Sequence, residues 1–122
     1  MGSSRLVAVA MSLMLLTGCQ GEHTCPAWSF PAISARVTSA SSGAPLPGAL
    51  GQVIDGTYRD SLFDQLDGSY VAAYDRPGTY AVHIEREGFA PWDTSGIIVR
   101  STGGQCATVE TENIAIRLTA QP

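Results

Sequence analysis

Three cysteines are the residues of this 122-residue chain whose chemistry depends most on how they pair. Cys19 and Cys25 lie six positions apart and Cys106 lies far downstream, so the count is odd. Glu22 and His23 stand beside them, and together with Cys25 they could supply half of a metal site. A zinc site usually takes four ligands from two such groups, and the second group is missing. We therefore predict no metal ion and no other cofactor.

Side chains with catalytic potential are sparse elsewhere in the chain. His83 is the one histidine downstream of position 23, and it falls on the polar face of an alternating segment, where a solvated surface histidine is the usual outcome. Asp64 and Asp67 flank a turn at Gly68, but the alternating acidic pattern of a calcium loop is incomplete, which favours a plain hairpin turn. The sequence predicts no catalytic residues and no enzymatic activity. The alternative is an orphan enzyme that uses His83 with nearby carboxylates.

Composition and charge limit the class of protein further. The formal charge is −4, and the seven basic residues are all arginines scattered singly among eleven acidic ones. Such a surface carries no electrostatic footprint for nucleic acid. The length suits one domain with one core. Thirteen glycines and seven prolines favour many turns over long helices.

The first eighteen residues are organised like an export signal. Arg5 gives a basic start, and "LVAVAMSLMLL" (6–16) is an apolar run too short to span a bilayer but typical of a signal-peptide core. "LTGC" (16–19) resembles the lipobox of bacterial lipoproteins, Leu-small-small-Cys. The alternative is a buried N-terminal helix whose cysteine is incidental. The resemblance implies that 1–18 is a signal peptide and that Cys19 carries diacylglycerol and an amide-linked acyl chain such as palmitate.

A lipidated Cys19 would place the protein in the bacterial cell envelope, with the membrane as a partner through the lipid anchor. Gln20 follows the cysteine instead of Asp, and the lipoprotein pattern then implies the outer membrane if the host has two membranes. Residues 19–30 are polar and poor in strand formers, so they are predicted to form the lipidated N-terminus and a tether.

Short extended runs separated by turn signals fill the remainder of the chain. "TYAVHIERE" (79–87) alternates most cleanly, with Tyr80, Val82 and Ile84 facing inward. Asp55-Gly56 predicts a two-residue hairpin, and Pro77-Gly78 predicts a type II turn in which the glycine supplies a positive φ. Seven or so strands predict an antiparallel β-sandwich; the runs are "ISARV" (33–37), "ALGQVI" (49–54), "TYRDSLFDQL" (57–66), "SYVAAY" (69–74), 79–87, "GIIVRS" (96–101) followed by "CATVE" (106–110), and "NIAIRL" (113–118).

Two longer stretches resemble the carboxypeptidase regulatory-like domain family. They are "ARVTSASSGAPLPGAL" (35–50) and "LDGSYVAAYDRPGTYAVHIEREGFAPW" (66–92), with Asp-Gly-x-Tyr, Pro-Gly-x-Tyr and a Gly-aromatic pair in order. The resemblance implies a seven-stranded, transthyretin-like (prealbumin-like) Greek-key sandwich over 31–120. Such domains are usually accessory or binding modules. Isopeptide crosslinking known in similar folds is excluded because the chain has no lysine. Hydroxyisourate hydrolases carry several active-site histidines and a C-terminal Tyr-Arg-Gly-Ser, whereas this chain has only His23 and His83 and ends in "RLTAQP".

Lipidation of Cys19 would leave an even count, and Cys25 and Cys106 then become the expected disulfide. An oxidising exported compartment favours this bond over free thiolates. The first and last strands of a Greek-key sandwich can lie close together, so the pairing is geometrically reasonable.

Four aromatic side chains form the candidate binding surface: Trp28 and Phe30 before the first strand, and Phe89 and Trp92 after "TYAVHIERE". They either cap the ends of the sandwich or form an exposed ledge for a sugar or a peptide. We predict a binding or structural module whose partner is an envelope protein or a glycan. The alternative is an assembly subunit that adds an edge strand to a larger envelope complex.

Overall fold

The computed structural model describes residues 24–122, and every regular element in that range is a β-strand. The predicted signal peptide, Cys19 and His23 lie outside the described residues. There are eight strands, compared with the seven or so expected: β1 (Pro31–Ser39), β2 (Leu50–Asp55), β3 (Tyr58–Ser61), β4 (Phe63–Asp64), β5 (Ser69–Tyr74), β6 (Gly78–Glu85), β7 (Trp92–Val99) and β8 (Glu112–Leu118). Within this range no helix is long and apolar enough to cross a membrane.

The strands form two four-stranded sheets, in the orders β4-β5-β1-β8 and β3-β2-β6-β7. Their apolar side chains meet in one core, so the predicted all-β sandwich is confirmed. Five of the six strand pairs are antiparallel. The exception is β1 with β8, which run parallel from Ile33 opposite Glu112 to Ser39 opposite Leu118. The expectation of a wholly antiparallel sandwich is wrong at this one pair.

Period-two alternation explains which side chains fill the core. In β6, Tyr80, Val82 and Ile84 are fully or almost fully buried, as predicted. In β8, Ile116 and Leu118 are buried in the same way. Each large apolar side chain taken out of water contributes about 1.5–3 kcal/mol. The strands that carry these residues therefore hold the sandwich together.

The eighth strand arises because the predicted extended run over 57–66 changes sheets at Leu62. The first part forms β3, which pairs with β2, and the second part forms β4, which pairs with β5. Leu62 is buried between them, and its N–H donates to the carbonyl of Gly51 at 2.9 Å. Because the Leu62 side chain is buried between the two sheets, the chain turns inward at this residue and passes from one sheet to the other.

Two turns differ in how well the sequence predicts them. The hairpin after Asp55 is confirmed, with Gly56 at φ 63° as the first residue of the loop. The expected positive φ at Gly78 is wrong, because Gly78 begins β6 and the left-handed residue of this connection is Asp75, at φ 55°. Gly78 is needed for a different reason: a Cβ there would collide with the Asp55 carboxylate.

Two buried tyrosines tie loops to the core. The Tyr70 hydroxyl donates to the carbonyl of Leu46 at 2.6 Å and accepts from the N–H of Ala49 at 3.0 Å. The Tyr80 hydroxyl donates to the carbonyl of Arg76, also at 2.6 Å. Burial raises the pKa of Tyr70. Each ring is fully buried in the core, while its hydroxyl satisfies backbone groups of the adjoining loop.

The run at 106–110 is not a strand. Val109 forms a single bridge with Ser101, and the stretch between β7 and β8 is otherwise a loop. Val109 is nevertheless buried in the core, so one apolar side chain anchors this loop.

Candidate functional site

The disulfide between Cys25 and Cys106 organises one end of the sandwich. The two Cα atoms are 5.3 Å apart and the residues are separated by 81 positions, so the predicted pairing is present. Cys25 lies in the segment before β1, and Cys106 lies in the loop between β7 and β8. The bond therefore fixes the entry of the chain to the loop that precedes its last strand.

Asp75 holds the same segment by hydrogen bonds. One carboxylate oxygen accepts from the backbone N–H of Phe30 at 3.1 Å and from the hydroxyl of Thr108 at 2.8 Å. The other accepts from the hydroxyl of Ser29 at 2.8 Å. These donors, the Phe30 N–H foremost, hold the pKa of Asp75 below its usual value. Residues 25–30 of the predicted tether are thus bound to the sandwich, by one covalent link and two hydrogen bonds to the Asp75 side chain, which also holds Thr108.

Asp75 and Thr108 carry little sequence signal for this role. An aspartate at a turn is common, and its left-handed backbone conformation is one that Asp adopts more readily than most residues. Nothing in the sequence indicates that this turn faces a segment 45 residues upstream.

A cleft of about 430 Å³ opens beside the disulfide. Its lining is mixed, with Asp75 as the charged member: Cys25, Pro26, Trp28, Asp75, Thr102, Gln105, Cys106, Ala107 and Thr108. Trp28 is 69% exposed and stands edge-on to Phe30, with ring centroids 6.4 Å apart. Phe30 is 40% exposed, and Tyr74, opposite Pro31 at the same end of β1, is 51% exposed. We call Trp28, Phe30 and Tyr74 the aromatic end.

Phe89 and Trp92 lie at the opposite end of the sandwich. Both are half-buried and pack against the core, and the Arg86 guanidinium lies 5.4 Å from the centroid of the Phe89 ring. β7 begins at Trp92 and reaches the disulfide end only at Val99, about 23 Å further along the strand. The four predicted residues therefore do not form one surface. Phe89 and Trp92 act as caps on the core, and Trp28 and Phe30 are exposed.

His83 lies between two carboxylates on the outer face of its sheet. Its Nδ1 is 2.6 Å from an oxygen of Asp93, and its Nε2 is 3.5 Å from an oxygen of Glu85. The hydrogen bond with Asp93 raises the pKa of His83, and Glu85 adds to the effect. Both ring nitrogens thus face acceptors, and this arrangement favours the imidazolium. The structure places His83 beside the nearby carboxylates that the alternative of an orphan enzyme names.

The serine in register with His83 is Ser61, which lies on β3, two strands away in the same sheet. Gln52 is opposite both Ser61 and His83, so about 9–10 Å separates the serine strand from the histidine strand. That spacing is too long for the hydrogen bond that activates a serine nucleophile. Across residues 24–122, moreover, no group of three or more metal-ligating side chains is assembled.

The two aspartates near Gly68 bond to the backbone. Asp64 accepts from the N–H of Leu66 and of Gly48, each at 2.8 Å. Asp67 accepts from the N–H of Ser69 at 3.0 Å, and the Ser69 hydroxyl and N–H lower the pKa of this carboxyl. These are the contacts of a hairpin turn, in agreement with the simpler of the two interpretations.

Comparison with known proteins adds information about the fold alone. No family model and no curated protein matches the chain. A solved structure, 3-chlorocatechol 1,2-dioxygenase from Rhodococcus opacus 1CP, is similar at 13% identity with a TM-score of 0.53. The match covers 73% of this chain and 59% of the dioxygenase chain, so it leaves a large part of that enzyme without a counterpart. The likeness shows a shared β arrangement and does not extend to activity.

Proposed function

We propose that this chain is a lipid-anchored, non-catalytic protein of the bacterial cell envelope, whose single β-sandwich serves as a binding or structural module. The observation that carries the proposal is the Cys25–Cys106 disulfide. It uses two of the three cysteines and leaves Cys19, the last residue of "LTGC", as the third. Lipidation gives that remaining thiol a chemical role, and the signal-like run before it supplies the route of export.

The proposal includes the finer family features that the sequence suggests. Residues 1–18 are removed, Cys19 receives diacylglycerol and an acyl chain, and 31–120 is a carboxypeptidase regulatory-like domain with transthyretin-like, Greek-key connections. In a host with two membranes the protein resides at the outer membrane. Several acyl chains, each adding about 0.8 kcal/mol per buried methylene, suffice for stable anchoring without a membrane-spanning helix.

Mass spectrometry of the mature protein tests the anchor. The full chain is expressed in a bacterium with two membranes and labelled with an alkyne analogue of palmitate. We expect an acylated N-terminal Cys19, and we expect Cys19→Ser to accumulate as an unlabelled precursor. Cys106→Ala is the matched control, because it removes another cysteine and leaves labelling intact. A mature chain with an unmodified Cys19 thiol contradicts the anchor.

The absence of catalysis is supported by the spacing of about 9–10 Å between the strands of Ser61 and His83, which is too long for the hydrogen bond that activates a serine nucleophile. An orphan enzyme would lose its cellular phenotype when His83 is replaced by Gln. A binding module would keep that phenotype, and crosslinking in cells followed by purification would then identify an envelope protein or a glycan as its partner. No role for nucleic acid is proposed, since the seven arginines are scattered singly along the sequence.

The edges of the two sheets favour assembly as a second candidate function. β3 has four residues, β4 has two, and β7 carries a bulge where Ser95 and Gly96 face Ala81. Short and bulged edges resist pairing with other strands. β8 is the remaining edge, seven residues long and regularly paired with β1. An added strand from another subunit would therefore pair with β8.

A photocrosslinking residue placed at Arg117 tests this second candidate. Arg117 is exposed on β8, and Ile98, exposed on the bulged strand β7, is the matched control position. Assembly through β8 predicts a protein adduct from position 117 and none from position 98. Equal labelling from both positions, or none from position 117, contradicts it.

A further inference from the structure

We propose that the aromatic end docks on the surface of the lipid bilayer that holds the anchor. The sandwich then stands on the membrane by Trp28, Phe30 and Tyr74, and it presents the end that carries Phe89 and Trp92 to the envelope interior. This inference rests on the proposed lipid anchor at Cys19. It adds an orientation and a contact surface.

The first argument is the reach of the chain. The disulfide fixes Cys25 to the sandwich, and only six residue steps separate Cys25 from Cys19. A fully extended chain of that length spans at most about 22 Å. Trp28 and the disulfide line the same cleft. An anchor at Cys19 therefore keeps this end of the domain within about 22 Å of the bilayer, whatever path residues 20–24 take.

The second argument is the chemistry of the surface that faces the anchor. Trp28, Phe30 and Tyr74 are 69%, 40% and 51% exposed, and they gather where the chain enters the fold. Exposed aromatic groups of this size mark interaction surfaces. Tryptophan and tyrosine combine an apolar ring with a polar group, and such side chains collect at the headgroup level of membranes.

The charge in the cleft is compatible with an uncharged lipid surface. Asp75 is the charged residue in the lining of the cleft, and both of its oxygens already accept hydrogen bonds from Ser29, Phe30 and Thr108. A negative group would oppose attraction to anionic lipids. Docking would then depend on the aromatic rings, so raising the salt concentration should not weaken it.

Fluorescence of the two tryptophans can report which end of the sandwich faces the bilayer, because they lie at opposite ends. Trp92→Phe leaves Trp28 as the single indole, and Trp28→Phe leaves Trp92. Each lipidated protein is reconstituted in phosphatidylcholine vesicles with or without acyl chains brominated near the headgroup, which quench nearby indole fluorescence. Urea unfolding of both variants verifies that each remains folded.

We expect brominated lipid to remove at least half of the Trp28 emission and less than a tenth of the Trp92 emission. Replacing Phe30 with Ser in the Trp92→Phe background should reduce the quenching. Equal quenching of the two indoles overturns the proposal, and so does an unquenched Trp28. A Trp28 that stays unquenched but responds to added glycan overturns it in favour of a sugar-binding cleft.

Failure of the anchor gives a different result from failure of docking. Without acylation at Cys19, mass spectrometry shows a free thiol and the protein does not float with vesicles. The docking surface is then tested on the mature chain with an N-terminal hexahistidine in place of the lipid, bound to vesicles that contain a nickel-chelating lipid. The same contrast between Trp28 and Trp92 is expected there, and its absence overturns the docking surface independently.

Discussion

Removal of the Cys25–Cys106 disulfide measures how much of the domain's stability comes from one covalent link. The bond closes a loop with a sequence separation of 81 residues. In the chain-entropy model, a loop of that length removes about 4.5 kcal/mol of conformational freedom from the unfolded chain at 25 °C. A domain of this size is stable by about 5–15 kcal/mol in total. The double variant Cys25→Ala/Cys106→Ala should therefore be folded but much less stable.

The expected loss of stability is somewhat smaller than about 4.5 kcal/mol, because the folded protein also gains freedom when the disulfide is removed. Without the bond, Cys25 itself can loosen, while Ser29 and Phe30 stay bound to Asp75. Each residue that loosens returns about 1 kcal/mol of backbone entropy to the folded protein. The expected loss is then about 3–4.5 kcal/mol. With a shift of about 4–8 °C per kcal/mol for a domain of this size, the Tm should fall by about 12–35 °C.

Urea and thermal unfolding of a soluble form that begins at Gln20 provide the measurement. The wild-type domain under dithiothreitol is the matched control, because reduction should bring its Tm down to that of the double variant. The double variant itself should not respond to the reductant. A loss below about 1 kcal/mol would refute the reasoning. Detection of two free thiols in the exported wild-type protein would refute it as well.

Three further perturbations test contacts inside the sandwich. Tyr70→Phe leaves two buried backbone groups without their shared partner and should cost about 2–4 kcal/mol in urea unfolding. Gly78→Ala places a methyl group against the Asp55 carboxylate and should cost about 1–3 kcal/mol. Because Asp93 raises the pKa of His83, protonation of His83 stabilises the fold. That stabilisation is complete below pH about 6.5 and is lost as the pH rises through the raised folded-state pKa, so Asp93→Asn should flatten the dependence of Tm on pH over this range.

Each of the three has a matched control. Tyr80→Phe removes a hydroxyl that donates to one backbone carbonyl and accepts from the Arg76 guanidinium, which keeps Asp55 as a partner, so it should cost less than Tyr70→Phe. Gly56→Ala meets no atom within 4 Å and tests the effect of a positive φ without a collision. Glu85→Gln removes the more distant carboxylate, at 3.5 Å from His83, and should flatten the pH profile less than Asp93→Asn. Reversal of any of these orders contradicts the contact in question.

The sequence predicts those parts of the fold that depend on local alternation. Tyr80, Val82 and Ile84 follow a strict period of two, and the same pattern marks the last strand. The run over 57–66 was predicted as one strand because its polar alternation continues past Leu62. What divides it is the burial of Leu62 between the two sheets, and that depends on the position of both layers.

Non-local contacts explain the remaining differences. The parallel pairing of β1 with β8 joins residues about 80 positions apart, and no short-range pattern records its direction. Gly78 looked like a turn glycine because it follows a proline, but its role is set by the side chain of Asp55 on a neighbouring strand. Likewise, the sequence does not distinguish the ends of the sandwich at which its aromatic residues lie. Only the topology places Trp28 and Phe30 at one end, and Phe89 and Trp92 at the other.

The parallel pairing of β1 and β8 has a consequence for when this domain can fold. β1 is an interior strand that needs β8 as a neighbour, and β8 is the last of the eight described strands along the chain. During synthesis, that sheet stays incomplete until β8 has emerged. Pairing between such distant segments is slow, since the loop between them must close first. The sheet that contains β1 would thus be completed late, and the sandwich would close only when β8 pairs with β1.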